Sequence, residues 1–213
     1  MDKNIMEVHK KQAARTMENL AKNNMMAFYV QKKEQVVPMV ADLMKEGELV
    51  SVGGSMTLFE TGVIEHLRSG RYSFLDRYMD GLSQNQIEDI FIKSFATDTY
   101  LTSTNAITEA GELYNVDGRG NRVAAMIYGP KSVIVIAGIN KIVKDVNEAV
   151  ERVRRVAAPA NSIRLDTKTP CTKTGYCVDC KSEGRICCSY TVLGHQRQKD
   201  RIKVILVGES LGY

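Results

Sequence analysis

The chain has 213 residues and a formal net charge of +4, with 44% hydrophobic and 25% charged residues. This composition is ordinary for a soluble globular protein, and the length suits one large α/β domain, alone or with a small appendage. The charged N-terminus excludes a secretory signal and no apolar run reaches the length of a membrane span, so we expect a cytoplasmic protein without membrane insertion.

The first 47 residues are predicted to be helical. Apolar residues recur at helical spacing between Asn4 and Val30, which indicates one long amphipathic helix. A second helix is predicted over Val36–Lys45 and ends at Gly47. The apolar run of residues 48–52 then predicts a buried strand that opens an α/β core.

Strands and helices alternate through this core, residues 48–165. The first strand is followed at once by Gly53-Gly54-Ser55 and a helix, for which Thr57 and Glu60 give a capping-box pattern. The remaining predicted elements are a short strand at 71–77, a capped helix at 83–95, strands at 99–103 and 112–116, a helix at 121–128, a strand at 132–137 and a helix at 145–157 that ends before Pro159.

The C-terminal part consists of a cysteine-rich loop insertion, residues 166–189, and a closing region, residues 190–213, with a strand over Ile202–Val207. Alternating strands and helices are typical of a mostly parallel sheet with helices on both faces. We therefore predict a single α/β domain, residues 1–213, with a Rossmann-like sheet and a long N-terminal helix. The basic residues around the cysteines are interpreted as a solvated loop, because no nucleic-acid-binding motif accompanies them.

Gly53-Gly54-Ser55 is a candidate ligand site between a predicted strand and a predicted helix. Two glycines allow close backbone approach, and a helix start offers unpaired N–H groups to a phosphate, carboxylate or carbonyl oxygen. The alternative is a tight turn that needs glycine for its dihedral angles, and both interpretations stay open. Neither this loop nor Gly118-Arg119-Gly120 completes a P-loop or dinucleotide pattern, so the sequence has no nucleotide fingerprint.

A second group of polar residues follows the strand at 99–103. Ligands of open α/β sheets bind beyond the carboxyl ends of the strands, so this edge predicts a binding wall opposite Gly53, Gly54 and Ser55. Its candidate ligand-binding residues are Thr104, Asn105, Asp117, Gly118, Asn121 and Arg122. Arg122 suits two-pronged pairing with a carboxylate. Glu109 is the candidate general base or nucleophile, although it also suits a turn between short strands.

All five cysteines fall between Cys171 and Cys188, with the spacing C-x5-C-x2-C-x6-C-C. The spacing of Cys177 and Cys180 is typical of a metal knuckle, in which one turn directs two thiolates to one point. Cys171, Cys177, Cys180 and Cys187 are therefore candidate ligands of zinc or an iron–sulfur cluster. Reduced thiols or a redox pair are the alternative.

These motifs give the chain a resemblance to the LUD-domain family of lactate-utilisation proteins, formerly DUF162, and to its C-type members. The segments that carry it are SVGGSMTL (51–58), FLDRY (74–78), LTSTNAITEAGELYNVDGRGNRVAAMIYGP (101–130), NKIVKD (140–145), AAPANSIRL (157–165) and TPCTKTGYCVDC (169–180). The resemblance implies the fold of ribose-phosphate isomerase and the coenzyme A transferases. It also implies a link to the oxidation of lactate to pyruvate beside iron–sulfur partner subunits.

Three functional hypotheses follow. The first is a lactate-utilisation protein that binds a small carboxylate or phosphate-bearing ligand. The second is an accessory subunit, without catalysis of its own, whose cysteines hold a metal or cluster or dock a partner. The third is an acyl- or coenzyme A-transferring enzyme, with Glu109 nearest to the glutamate of that fold. Asn105 stands where the sugar-phosphate isomerases have an acid, and because an amide is not a general base, isomerisation is not expected. Association of copies of the chain is left open.

Overall fold

The computed structural model describes residues 2–213, and Met1, which the predicted helical N-terminus included, lies outside them. The helices are α1 (Lys3–Lys22), α2 (Val36–Leu43), α3 (Met56–Glu60), α4 (Val63–Leu67), α5 (Gln84–Lys93), α6 (Asn121–Ile127), α7 (Val146–Arg152), α8 (Ala158–Leu165) and α9 (Cys171–Thr174). The strands are β1 (Met26–Val30), β2 (Leu49–Val52), β3 (Ser73–Leu75), β4 (Thr99–Thr102), β5 (Ala106–Thr108), β6 (Leu113–Asp117), β7 (Ser132–Gly138), β8 (Ile142–Val143), β9 (Ser189–Leu193) and β10 (Ile202–Val207).

Six strands form a parallel sheet in the order β1-β10-β7-β4-β2-β3, which confirms the predicted α/β fold with a mostly parallel sheet. The central strands β7 and β10 are buried almost throughout. Their uninterrupted apolar sequences are typical of strands covered by helices on both faces. The predicted helical segments flank this sheet, and among residues 2–213 no helix combines the length and apolar character needed to cross a membrane.

Alternation along β7 divides the core into two layers. Ile134 and Ile136 pack with α2, α3 and α4 on one face of the sheet. Val133 and Val135 pack on the other face with α1 and α6. Because successive side chains of a strand point to opposite faces, one continuous apolar strand supplies both layers.

A second sheet, in the order β8-β5-β6-β9, stands beyond the carboxyl end of β4. It mixes parallel and antiparallel pairs, and the sequence analysis did not predict it as a separate sheet. Its strands are short, and Ala106, Tyr114 and Val143 pack on Ala149 of α7 in a third apolar cluster. Because these strands are so short, the alternation of apolar and polar residues along them is too brief to detect in the sequence.

The prediction of one helix from Asn4 to Val30 is wrong in its second part. The helix ends at Lys22, Asn24 adopts a left-handed conformation with φ of 60°, and residues 26–30 form β1. The Asn24 side chain donates a hydrogen bond of 2.9 Å to the Gln196 carbonyl oxygen, which fixes this turn. The apolar residues 26–30 are compatible with a helix or a strand, and pairing with the distant β10 makes them a strand.

The predicted helix end before Pro159 is also wrong. One π-helical turn, Val153–Ala157, joins α7 to α8, so the helical path continues to Leu165. Proline lacks an N–H and clashes with a carbonyl one turn earlier in a regular α-helix, and the wider π turn lies at that point. The Arg154 carbonyl oxygen instead accepts a hydrogen bond of 3.2 Å from the Cys177 N–H, which ties the cysteine-rich segment to this helix.

Gly111 brings the β5–β6 turn against α1. A Cβ atom at this position would lie 2.6 Å from the carbonyl carbon of Asn19, and the glycine has a φ of +81°. The Asn19 side chain donates a hydrogen bond of 2.8 Å to the Glu109 carbonyl oxygen. The N-terminal helix is thus held to the second sheet by a close backbone contact that requires glycine.

Replacing Gly111 by alanine tests this contact. Gly81 is a matched control, because its φ is also +81° but no atom lies within 4 Å of the position of its Cβ. Both substitutions place alanine in the left-handed region, at a cost of about 1–2 kcal/mol each. We expect Gly111→Ala to lower the free energy of unfolding, measured in urea, by a further 1–3 kcal/mol or so because of the clash. Equal losses would contradict this account.

Candidate functional site

A cavity of about 320 Å³ opens at the carboxyl ends of the parallel strands. Its wall combines the loops after β2, β4 and β6 with the helical path from the π turn to Leu165. Eight of the nine predicted ligand-binding residues line it: Gly54, Ser55, Thr104, Asn105, Asp117, Gly118, Asn121 and Arg122. The structure thus brings together the loops after β2 and β4, which are distant in sequence, at the edge of the sheet where open α/β proteins bind ligands.

The two glycines of the β2–α3 loop have different functions. A Cβ on Gly53 would lie 2.6 Å from Thr102 Oγ1 and 2.8 Å from the Arg122 side chain, so this glycine serves close packing and does not line the cavity. Gly54 lines the cavity, and only the Arg77 guanidinium lies near the position of its Cβ, at 3.7 Å. Neither glycine has a positive φ, so the dihedral-angle interpretation holds for neither, and the ligand-site interpretation remains for Gly54.

The helix that follows this loop contributes little to anion binding. It spans only Met56–Glu60 before a break at Gly62, which has a φ of 73°, and α4 follows. The capping box predicted for Thr57 and Glu60 does not form, because Ser55 is the N-cap residue. Since a helix dipole requires several aligned peptide units, charge at this site comes from side chains instead.

Arg122 and Asp117 form a buried ion pair in the cavity wall. The Arg122 Nη2 atom lies 2.5 Å from Asp117 Oδ1, and both side chains are nearly buried. Arg122 Nη1 also donates to Asn115 Oδ1 at 2.6 Å and to the Ser103 carbonyl oxygen at 2.9 Å. The carboxylate that pairs with Arg122 is therefore part of the chain, and this guanidinium shapes the wall.

Thr104 and Asn105 are also used within the protein. Thr104 Oγ1 donates hydrogen bonds of 3.0 Å to the carbonyl oxygens of Ala106 and Tyr114. Asn105 Oδ1 accepts from the Val116 N–H at 2.9 Å and from Arg122 Nη2 at 3.1 Å. The polar edge predicted from the sequence is thus largely an internal hydrogen-bond network whose surface faces the cavity.

Lys141 is a buried amine in the cavity wall. It follows β7 directly and is only 2% exposed, and its Nζ donates to Ser103 Oγ at 2.9 Å and to Thr57 Oγ1 at 3.1 Å. Burial, with a smaller contribution from the positive charges of Arg152 and Arg122, lowers the pKa of Lys141 to about 7. No salt bridge to Lys141 forms within residues 2–213.

Positive side chains dominate the remaining wall. Arg77 lies over the Phe91 ring at 4.5 Å and makes no salt bridge within the described chain. Arg164 donates a hydrogen bond of 2.8 Å to Asn161 Oδ1, and Arg119 pairs with Glu88 outside the cavity. Of residues 2–213, five Arg and Lys side chains and one Asp or Glu side chain line the cavity, and that one, Asp117, is already paired.

Two buried hydroxyl groups of the wall have no hydrogen-bond partner in the part of the chain that the structure describes. They are Ser55 Oγ and Tyr213 Oη, and both residues line the cavity. An unpaired buried hydroxyl group costs about 1–3 kcal/mol, so a polar partner at either group would stabilise the wall.

Glu109, the candidate general base or nucleophile, does not line the cavity. Its carboxylate lies 3.1 Å from Arg15 Nη2 and accepts a hydrogen bond of 3.0 Å from Gln12 Nε2, both on α1. The structure thus places this residue in the contact between α1 and the second sheet, and the transferase-like hypothesis has no glutamate at the cavity.

The four cysteines predicted as metal ligands lie around one small cavity of about 20 Å³. Cys171, Cys177, Cys180 and Cys187 line it, whereas Cys188 does not. All five cysteines are free thiols, and within residues 2–213 no three or more His, Cys, Asp or Glu are arranged to hold a metal ion. Burial, together with the nearby Cys177, raises the pKa of the Cys187 thiol to about 11. Cys187 also lines the larger cavity.

Sequence reasoning missed Lys141, Arg77 and Arg164. A signal for Lys141 was present, because it follows the most evident core strand by three residues and thus lies at the ligand-binding end of the sheet. Arg77 follows β3 in the same way. Arg164 had no such signal, since the helix that carries it was predicted to end before Pro159.

Comparison with known proteins identifies the family. A sequence model of the LUD domain matches residues 13–207, and no curated protein matches the chain. A crystal structure of a DUF162 family protein from Deinococcus radiodurans is similar, with a TM-score of 0.55 and 17% identity, over 93% of this chain and 98% of that one. At this identity the similarity concerns the fold alone. The structure of eIF2B beta from Chaetomium thermophilum matches with a TM-score of 0.37 and 14% identity, over 55% of this chain and 44% of that one.

Replacing Arg122 by methionine tests the buried ion pair. The substitution leaves the Asp117 carboxylate buried without its partner, and we expect a loss of about 3–5 kcal/mol in the free energy of unfolding. Arg119→Met is the control, because it breaks an exposed pair with Glu88 and is expected to cost about 0–1 kcal/mol. Urea denaturation followed by circular dichroism measures both. Similar small losses would show that the pair does not hold the wall.

Proposed function

Because this chain belongs to the LUD-domain family, we propose that it is a cytoplasmic lactate-utilisation protein that binds a small carboxylate or phosphate-bearing ligand in the cavity at the carboxyl ends of its parallel strands. Lactate and pyruvate are the leading candidates, as small carboxylates linked to the family's name. Oxidation of lactate to pyruvate removes two electrons, and the sequence has no nucleotide fingerprint. The proposal therefore assigns the electrons to iron–sulfur partner subunits.

The single observation that carries the proposal is the excess of positive charge in the cavity wall. Arg77, Arg164 and the partly protonated Lys141 line a space whose one Asp or Glu side chain in residues 2–213, Asp117, is paired with Arg122. Arg77 is half-buried and Arg164 is exposed, and like charges gathered around one opening repel each other. A bound carboxylate or phosphate would supply the missing negative charge.

The size of the cavity and its unpaired hydroxyl groups support the same conclusion. A volume of about 320 Å³ lies at the lower end of the range of small-molecule sites, roughly 300–1,000 Å³. Ser55 and Tyr213 line the cavity, and their buried hydroxyl groups, which have no hydrogen-bond partner in residues 2–213, become available to a ligand oxygen when the side chains rotate. Arg77 is the residue proposed to bind the ligand's negative group, because its guanidinium lies beside Gly54 and makes no salt bridge in residues 2–213.

Titration calorimetry with lactate, pyruvate, inorganic phosphate and a sugar phosphate tests ligand binding. We expect at least one of these anions to bind the wild-type protein. Arg77→Gln should weaken that binding by about tenfold to a hundredfold, because a hydrogen bond to a charged group contributes about 1.5–3 kcal/mol.

Arg71→Gln is the matched control. Arg71 is another partly exposed arginine near β3, but it pairs with Glu46 and does not line the cavity. Its replacement should leave affinity unchanged. A folded wild-type protein that binds none of the four anions would contradict the proposed function. If Arg77→Gln binds the anion as tightly as Arg71→Gln does, Arg77 does not bind the ligand.

A second candidate function is favoured by the convergence of four thiols on one small cavity. Four cysteine side chains are a donor set that zinc and iron–sulfur clusters take, and Cys177 and Cys180 have the spacing of a metal knuckle. Binding would require the thiols to deprotonate and to draw together from their present positions. The protein would then be an accessory metal or electron-transfer subunit.

Metal analysis and visible absorption of protein purified without oxygen test this alternative. If the thiols bind a metal, Cys171→Ser should lose most of it, since Cys171 is the most buried of the four that line the cavity. Cys188→Ser is the control, because Cys188 is exposed, adjacent in sequence and outside that cavity. Colourless wild-type protein that contains neither zinc nor iron would overturn the metal hypothesis and leave the anion-binding proposal intact.

A further inference from the structure

We propose that Lys141 forms an imine with the carbonyl carbon of a small 2-oxo acid held in the cavity, so that the site binds the oxidised, carbonyl-bearing member of an acid pair covalently and reversibly. The inference rests on the proposed function, because it requires the same cavity to bind a small carboxylate. It adds a nucleophile and narrows the ligand to one chemical class.

The position of Lys141 supports this inference first. It is a primary amine in the wall of the cavity, and it stands directly after the central strand β7 in a short 3₁₀ turn. Two hydroxyl groups, Ser103 Oγ at 2.9 Å and Thr57 Oγ1 at 3.1 Å, fix the Nζ atom. An amine that is held in place in this way loses little conformational entropy on reaction.

The surroundings of Lys141 leave a substantial fraction of its amine neutral near pH 7. Arg122 from α6 and Arg152 from α7 oppose its protonation, and Glu60 of α3 favours it. Burial adds the largest contribution, and together these groups lower the pKa of Lys141 to about 7. Desolvation next to other cations is a recognised way to activate a lysine for imine formation, because only the neutral amine is a nucleophile.

The reaction is balanced without any redox partner. The nitrogen lone pair of Lys141 attacks the carbonyl carbon, and one N–H proton moves to the carbonyl oxygen to give a carbinolamine. The second N–H proton leaves with that hydroxyl group as water, and a carbon–nitrogen double bond remains. Ser103 and Thr57 are within hydrogen-bond distance of the nitrogen and can pass these protons. The positive wall meanwhile binds the carboxylate of the 2-oxo acid.

Reductive trapping tests the inference. The full-length protein is incubated with pyruvate, reduced with sodium borohydride, and examined by intact mass and peptide mapping. We expect one added group per chain, equal in mass to pyruvic acid less one oxygen atom, on Lys141. Lactate, which has no carbonyl group, should give no adduct.

The pH profile separates Lys141 from exposed lysines. Trapping should increase about tenfold from pH 6 to pH 8 and then level off, because a group with a pKa near 7 is already mostly neutral at pH 8. Adducts on exposed lysines should keep increasing above pH 8. A profile that does not level off would argue against the buried amine as the reacting group.

Three variants control the experiment. Lys141→Arg keeps a positive charge but cannot form an imine, and Lys141→Met has similar length without charge; both should lose the adduct, with folding checked by circular dichroism. Lys131→Arg changes an exposed lysine paired with Asp98 and should trap pyruvate normally.

The outcomes distinguish this inference from the proposed function. Pyruvate binding by calorimetry without an adduct on Lys141, or with adducts on other lysines only, would overturn the imine and leave anion binding in place. Absence of binding to every anion tested would overturn both. If Lys141→Arg and Lys141→Met both fail to fold, peptide mapping of the wild-type protein still decides the question.

Discussion

The buried ion pair between Arg122 and Asp117 is the interaction on which the cavity wall depends. Through one guanidinium it joins the loop after β4, strand β6 and helix α6, and the Asp117 carboxylate also accepts a hydrogen bond from the N–H of Val123. The Asp117 carbonyl oxygen accepts a further bond from Cys188, which fixes the end of the cysteine-rich segment. If the two side chains separated, the loop after β4, strand β6, helix α6 and the cysteine-rich segment would lose their common point of attachment. Each side chain would then be a buried charge without a partner.

This arrangement separates the residues that build the site from those that face a ligand. The pair neutralises itself, so it adds no net charge to the cavity. The positive charge without a salt-bridge partner in residues 2–213 comes from Arg77, in the loop after β3, from Arg164 of α8 and, in its protonated form, from Lys141 after β7. A rigid neutral wall with cations on the other sides allows a small anion to be held without moving the backbone, which reduces the cost of binding.

Much of the fold could be predicted from the sequence, because strands such as Ser132–Gly138 and Ile202–Val207 have apolar patterns that only a buried parallel sheet explains. Two elements were predicted wrongly. Residues 26–30 form a strand because the distant β10 lies beside them, and the helix continues past Pro159 because a π turn accommodates the proline. The location of the cavity was predictable, since the ends of parallel strands meet at one edge of the sheet. The individual roles were not, because the sequence cannot show that Arg122 already has a carboxylate within the chain, or that Lys141 has none.

The strand order of the parallel sheet also has a consequence for how the chain folds. Strand β10 lies between β1 and β7, so Met26 finds its partner Lys203 only after nearly the whole chain has been made. During synthesis on the ribosome, β1 must therefore wait with its apolar side chains uncovered, while the strands β2, β3, β4 and β7 can already assemble. Such a topology has a high contact order, which slows folding and leaves an unpaired edge on β7 as the last place to be closed.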